Sequence, residues 1–162
     1  MSAPAMLQPA RIEVFHFQAA INEPIVTSFG SIPARNAVLL RIEDKDGASG
    51  WGEVWANFPP AGAEGKVRLL ETVVIPTALG KSWASPTAAW IDLTQRMRRN
   101  AIQSGEPGPF AACLAGLDVA LWALAARKAG VPLWKALGRA QTPEPLLAYA
   151  SSWFKRHEPA CF

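Results

Sequence analysis

The sequence predicts an α+β fold, a three-stranded antiparallel meander followed by a helical bundle. Two observations carry this. Residues 36–55 alternate apolar and polar side chains about a tight turn, and residues 64–138 carry apolar side chains at helical spacing. The strand-like runs come first and the helices afterwards, in separate blocks, which points to α+β rather than to alternating βαβ units. With 162 residues, 50% hydrophobic and 18% charged, the chain has material for one domain with a real core.

The opening M-S-A-P-A-M-L-Q-P-A is Pro/Ala-rich and reads as a disordered tail over residues 1–10; it has neither the basic nor the apolar region of a secretory signal. Arg11 to Ala20 mixes β-branched, aromatic and polar residues and is expected to be the first strand. Ile21 to Arg35 contains Pro24, Gly30 and Pro33 and no periodicity, so it is expected to be a long loop. Asn36 to Glu43 places Val38, Leu40 and Ile42 on one face. Asp44-Lys45-Asp46-Gly47 then turns the chain, with Gly47 supplying a positive φ. Ala48 to Trp55 returns as the partner strand, and its glycines at 50 and 52 mark a face where another backbone can approach closely. A second loop, Ala56 to Gly62, holds Asn57, Phe58, Pro59 and Pro60.

Helical signals follow. Glu64 to Val74 presents Val67, Leu70, Val73 and Val74, and is expected to end before Pro76. Ser85-Pro86 is an N-cap followed by proline at the first helical position, opening a helix through Trp90, Leu93 and Met97 to about Asn100. Gly105 to Pro109 breaks the chain before an apolar central helix. That helix ends at Gly130, with Arg127 and Lys128 in its last turn, where the macrodipole favours cations. Val131 to Gly138 forms a short Pro-led helix, and Leu146 to Ser152 reads as a strand. The division is a tail over 1–10, a domain over 11–138, and a further strand with an irregular tail over 139–162.

Few side chains advertise chemistry. Cys113 and Cys161 form neither a disulfide framework nor a metal pattern, and Cys113 is expected to be a small buried hydrophobe. His16 and His157 have no metal-ligand spacing. His16 is expected to be a satisfied structural histidine among apolar neighbours. The sequence G-W-G-E closes a strand rather than opening a helix, which rejects a dinucleotide fingerprint. Glu53 is expected to hold a neighbouring backbone or Arg group. Asp118, a lone carboxylate in an apolar helix, is expected to have a partner, because a buried unpaired charge is costly. Trp90, Trp122 and Trp134 are expected in the core, while Trp51 and Trp55 share a strand face and Trp55 leads into Phe58. The net charge of +3, with basic residues scattered apart from Arg96, Arg98 and Arg99, excludes a nucleic-acid stripe. Phe110 to Ala126, interrupted by Asp118, is expected to be too short to span a bilayer, and the chain is expected to be cytoplasmic.

The hairpin R-I-E-D-K-D-G-A-S-G-W-G-E (Arg41 to Glu53), the helix A-G-L-D-V-A-L-W-A-L-A-A-R-K-A-G (Ala115 to Gly130), V-P-L-W-K-A-L-G (Val131 to Gly138) and Y-A-S-S (Tyr149 to Ser152) occur in an order and spacing that resemble an enolase-superfamily pattern. The family is the mandelate racemase and muconate-lactonising branch, and the part resembled is its N-terminal capping domain. The resemblance implies a domain packed over the mouth of a (β/α)₈ barrel, with two loops closing over substrate. By position these are residues 21–35 and 56–62, with Thr27, Ser28, Phe29, Trp55, Asn57 and Phe58 as substrate-capping residues. It further implies proton abstraction α to a carboxylate, with Mg²⁺ and the acid/base pair supplied by the barrel.

No catalytic residue, metal ligand or Mg²⁺ is therefore expected in this chain, which reaches only the first barrel strand, Leu147 to Ser151. The implied partners are a small carboxylate substrate, the missing barrel domain and further copies of the chain, and neither nucleic acid nor membrane. In the family helix a second Asp often follows the Trp, where this chain has Ala123. The alternative expectation is a stand-alone interaction module that docks through its apolar helix.

Overall fold

In a computed structural model describing residues 6–28, 30–59, 61–138 and 147, three antiparallel strands form a sheet in the order β1-β2-β3. They are β1 (Pro9–Thr27), β2 (Gly30–Asp44) and β3 (Ser49–Val54). Val14 pairs with Leu40 and Ile12 with Ile42, while across β2 Leu40 faces Gly52 and Ile42 faces Gly50. The expected turn closes this second hairpin: the Gly47 amide donates to the Asp44 carbonyl at 2.9 Å, with Gly47 at φ +83°. The fold is the α+β meander-then-helices arrangement read from the sequence.

One expectation is overturned. Residues 21–35 are not an irregular loop, because β1 and β2 run on as a two-stranded ribbon to the pair Thr27–Gly30. The register shifts between Ala20 and Ile25, so that Ile21 to Pro24 stand opposite the single residue Pro33 in a bulge. Pro24, which has no N–H for a ladder, sits where a ladder bond is not required. The ribbon escaped detection because neither of its faces enters the core. Alternation is a signature of one-sided burial, and backbone pairing alone writes nothing into the side-chain pattern.

The tail reading fails over residues 6–10. Leu7 is only 1% exposed and makes a two-way backbone bridge with Trp83, at 2.9 and 3.0 Å. The Gln8 amide donates to the Asp44 carboxylate. Residues 1–5 lie outside the described residues.

Helices α1 (Gly62–Leu69), α2 (Ile75–Ala78), α3 (Pro86–Gln103), α4 (Pro107–Lys128) and α5 (Leu133–Ala136) follow. The helix expected to stop before Pro76 continues through it. Leu70–Val74 is a π-helical turn joining α1 to α2, and Pro76 lies in the first turn of α2. A proline ring clashes with the carbonyl four residues earlier and offers that carbonyl no donor. The wider π turn relieves this clash by shifting the bonding pattern ahead of the ring.

α3 starts as read: the Ala88 amide donates to Ser85 Oγ at 3.1 Å, ahead of Pro86. α4 crosses the inner face of the sheet, and its Phe110, Cys113, Leu114, Leu117, Ala120, Leu121 and Leu124 join Val38, Leu40, Ile42 and Val54 in one buried core. At 22 residues it is longer than the stretch read from the sequence, and long and apolar enough to cross a bilayer by length and composition. Its buried side chains instead form the centre of the core.

Among the tryptophans the expectation is reversed. Trp90 is exposed and Trp122 and Trp134 are half-buried, whereas Trp83 is buried, its indole N–H donating to the Asp92 carboxylate at 3.0 Å. A large ring at helical spacing signals a helix, but which way the helix faces depends on what packs against it. The strand read at Leu146 to Ser152, and with it Leu147 to Ser151, Tyr149, His157 and Cys161, falls outside the described residues, save Leu147.

Candidate functional site

The second loop is positioned by a backbone contact that only glycine permits. A Cβ on Gly50 would lie 2.2 Å from the Ala120 carbonyl oxygen, and one on Gly52 would lie 2.0 Å from the Gly116 carbonyl oxygen. Reciprocally, a Cβ on Gly116 would meet the Val54 side chain at 2.4 Å. β3 therefore lies flat on α4 and delivers Val54 and Ala56 to the core. Alternation sends Trp55 outward, 60% exposed, with Phe58 also exposed one turn of loop later. The peptide Phe58–Pro59 is cis, and the Gly62 amide donates to the Pro59 carbonyl at 2.8 Å, closing the loop onto the start of α1.

Trp55, Asn57 and Phe58, three of the sequence-predicted residues, thus share one short loop. Asn57 is half-buried, and its Oδ1 is buried without a hydrogen-bond partner among the described residues.

Lys66 was not anticipated. It is 6% exposed, and its ammonium lies 5.4 Å from the centre of the Trp55 ring. The same ammonium would sit 3.4 Å from a Cβ on Gly62. A helical side chain leans toward the N-terminus, so a lysine four residues after the first helical position can bring its charge back to the loop. That spacing from Gly62 was the available signal.

The other half of the expected site lies elsewhere. Thr27 ends β1, its hydroxyl donating to the Gly30 carbonyl at 2.9 Å, and Ser28 is in the turn that follows. Phe29 lies outside the described residues. From Gly30 to Val38, whose partner Val54 ends β3, the extended chain spans eight residues; at the rise of a strand this is roughly 25 Å. This is a distance along the strand, and the register shift between Ala20 and Ile25 bends the ribbon within it.

The outer face of the sheet, opposite α4, carries further aromatics. Phe15 and Trp51 stack at 5.5 Å between ring centres. Arg41 bridges Glu13 and Glu43 beside them, at 2.9 and 2.8 Å.

The titratable residues are resolved individually. Cys113 is buried as expected, its thiol pushed up to about 12 by desolvation, with Sγ 3.7 Å from the Lys66 carbonyl oxygen. It is an inert thiol at neutral pH. His16 is exposed rather than among apolar neighbours, with Nε2 3.1 Å from Asn36 Oδ1. Glu53 is exposed and has no hydrogen-bond or ion-pair partner among the described residues, contrary to expectation.

Asp118 is half-buried, and desolvation raises its carboxyl above the usual range. The partner expected for it is likewise not found among the described residues. Asp44 and Asp46 both bind the Lys128 ammonium, which also donates to the Met6 carbonyl at 2.9 Å. Among the described residues no three His, Cys, Asp or Glu side chains cluster, and Asp44 and Asp46 are both paired with Lys128. These residues do not fit a Mg²⁺ site.

Against known proteins the chain is similar over most of its length to one portion of much longer enzymes. The sequence profile of the mandelate racemase / muconate lactonizing enzyme N-terminal domain matches residues 11–138. An o-succinylbenzoate synthase of Geobacillus stearothermophilus is 34% identical over 130 residues, 78% of this chain and 32% of that protein. A D-galactonate dehydratase family member of Marinomonas sp. is 35% identical over 117 residues, 72% of this chain and 27% of that protein. A solved mandelate racemase/muconate lactonizing enzyme of Bordetella bronchiseptica superposes with a TM-score of 0.75 at 46% identity, covering 84% of this chain and 34% of that one. The chain spans about a third of the length of the curated relatives it matches. It belongs to the mandelate racemase / muconate lactonizing enzyme family of the enolase superfamily, and its residues 11–138 are that family's N-terminal domain.

Proposed function

We propose that this domain is the substrate-capping lid of an enzyme that removes a proton α to a carboxylate, a racemase, dehydratase or cycloisomerase. The observation that carries the reading is the exposed aromatic pair Trp55 and Phe58, held out from a strand locked to the core by Gly50 and Gly52. Aromatic rings fixed on a rigid support can exclude water from a small molecule beneath them at low entropic cost. Thr27 and Ser28, at the turn of the ribbon, are proposed together with Phe29 to close over the substrate from the other side. The acid/base pair and Mg²⁺ of such chemistry are assigned to a barrel, and this chain supplies shape and polarity to the substrate chamber. Alone, it is expected to turn over no substrate and to bind Mg²⁺ only weakly.

Two measurements test this. Calorimetric titration of the purified chain with Mg²⁺ and a solvent-deuterium exchange assay on a panel of α-substituted carboxylates should both be silent; turnover by the chain would overturn the assignment. In the longer enzyme carrying this domain, Trp55→Ala or Phe58→Ala should lower kcat/KM about tenfold, chiefly through KM; unchanged KM in both would remove the lid role.

A second reading is favoured by a different surface. Val119 on α4, Leu133 on α5 and Leu137 at the C-terminal cap of α5 are exposed apolar side chains, and α5 buries none of its own. An interaction module docking through this helical face would also explain them. It predicts tight binding to a protein that lacks a barrel, whereas the lid reading predicts docking on one.

A further inference from the structure

Lys66 is a nearly buried cation with no anion beside it among the described residues. Among the described residues its ammonium has the Trp55 ring as a partner and no carboxylate. Glu64, two positions earlier on the same helix, does not face it, because neighbours on a helix are three or four apart. The Cys113 thiol nearby stays protonated at neutral pH and offers no counter-charge. The position adds to the imbalance. The ammonium lies against Gly62, the first residue of α1, and no side chain caps that end of the helix. A helix N-terminus carries partial positive charge and unpaired N–H groups. A lysine only 6% exposed at that end adds positive charge to it, which an anion would offset.

We propose that the Lys66 ammonium and the N-terminal amides of α1 form an anion site that takes a carboxylate of the small molecule under the Trp55–Pro59 loop. The ligand's identity, though not the site, rests on the lid reading. The ammonium supplies the charge, and the amides of Ala63 and Glu64, without partners inside the helix, supply directed hydrogen bonds. The Trp55 ring shields the pair from water, which strengthens both interactions. Because a catalytic carboxylate belongs at the barrel, this site would read a second acidic group at the far end of the substrate. The chamber therefore prefers dicarboxylates to monocarboxylates, a selection that its aromatic lining alone would not make.

The experiment is an amide-resolved NMR titration of the ¹⁵N-labelled chain with sodium succinate, against sodium chloride at matched ionic strength to remove general screening. Saturable shifts are expected at Gly62 to Gly65 and at the Trp55 indole. Lys66→Met, which keeps the buried stem, should weaken succinate about tenfold or more, and Lys66→Arg should restore most of it. Saturating succinate should raise the melting temperature of the wild type and of Lys66→Arg, and leave Lys66→Met unmoved.

Shifts that do not saturate, that chloride reproduces, or that persist in Lys66→Met overturn the site. If Lys66→Met loses its dispersed spectrum, Lys66→Gln serves in its place under the same criteria. Failure here leaves the lid reading standing, and failure of the Trp55 and Phe58 variants to change KM removes the lid while leaving a saturable, Lys66-dependent titration intact.

Discussion

Gly52 and Lys128 show how much single positions decide. Gly52 meets the backbone of α4 rather than a side chain, so no rotamer change can make room for a methyl group. Gly52→Ala should destabilise the domain by about 3 kcal/mol, at the upper end of overpacking effects, because sheet and helix must separate. Chemical denaturation of the two proteins measures this, and a loss under about 0.5 kcal/mol would mean that β3 and α4 are not in backbone contact.

Lys128 joins α4 to the β2–β3 turn through Asp44 and Asp46, with Asp44 only 2% exposed. Burial pulls the Lys128 ammonium down, but the hydrogen bonds to Asp44 and Asp46 outweigh it and leave its pKa above the ordinary value. The same contact holds the Asp46 carboxyl below its ordinary value. The signs then define a window. The Asp46 contribution is present above the unfolded carboxyl value of about 3.9 and is lost as pH falls through the folded one. The Lys128 contribution is present below the unfolded value of about 10.4 and is lost as pH rises through the folded one. Lys128→Met should remove about 2–3 kcal/mol near neutrality by stranding Asp44. It should also flatten both edges of the stability–pH curve, as followed by thermal melts across pH.

At the scale of elements, the helix caps and the tight turn were legible because their determinants are local. Ser85-Pro86 reads as a helix start whatever lies nearby, and the Ala88 amide bonds Ser85 as that reading requires. Ser85→Ala should cost about 1 kcal/mol, visible as a lowered denaturation midpoint with an unchanged slope. The two misread elements share a different property. The outer ribbon of β1 and β2 has no buried face, and the π turn before Pro76 leaves the apolar spacing of its neighbours almost undisturbed. Both are features of backbone bonding, to which patterns of side-chain hydrophobicity are blind. Half of the candidate site was legible for a related reason: Trp55 and Phe58 stand in one short loop, whereas Lys66 comes from the following helix and reaches Trp55 only through side-chain direction.

At the scale of the whole molecule, the core lies between the sheet and α4, with exposed apolar side chains on two surfaces. Phe17, Trp51 and Trp55 face outward from the sheet, Val119 and Leu133 from the helices, and Leu137 from the end of α5. Where exposed apolar side chains merge into one large patch, they mark an interface. The isolated chain should therefore self-associate at micromolar concentration. Sedimentation velocity would reveal this as a concentration-dependent sedimentation coefficient, and Val119→Glu with Leu137→Glu should suppress it. A single monomeric boundary at all concentrations would instead mean that these side chains are ordinary exposed apolar surface.

By itself the sequence determined the α+β class, the β2–β3 register, the α3 cap and the aromatic character of the second loop. Each depends on residues within a turn or two of one another, where propensity and one-sided burial leave a readable period. The tertiary structure alone decided that α4 is the partner of Gly50 and Gly52, and that Trp83 rather than Trp90 enters the core. It also decided that Leu7 belongs to the domain and that Lys66 stands over Trp55. Those outcomes follow from which surfaces meet, and contact between distant segments is a property of packing geometry that no local pattern encodes.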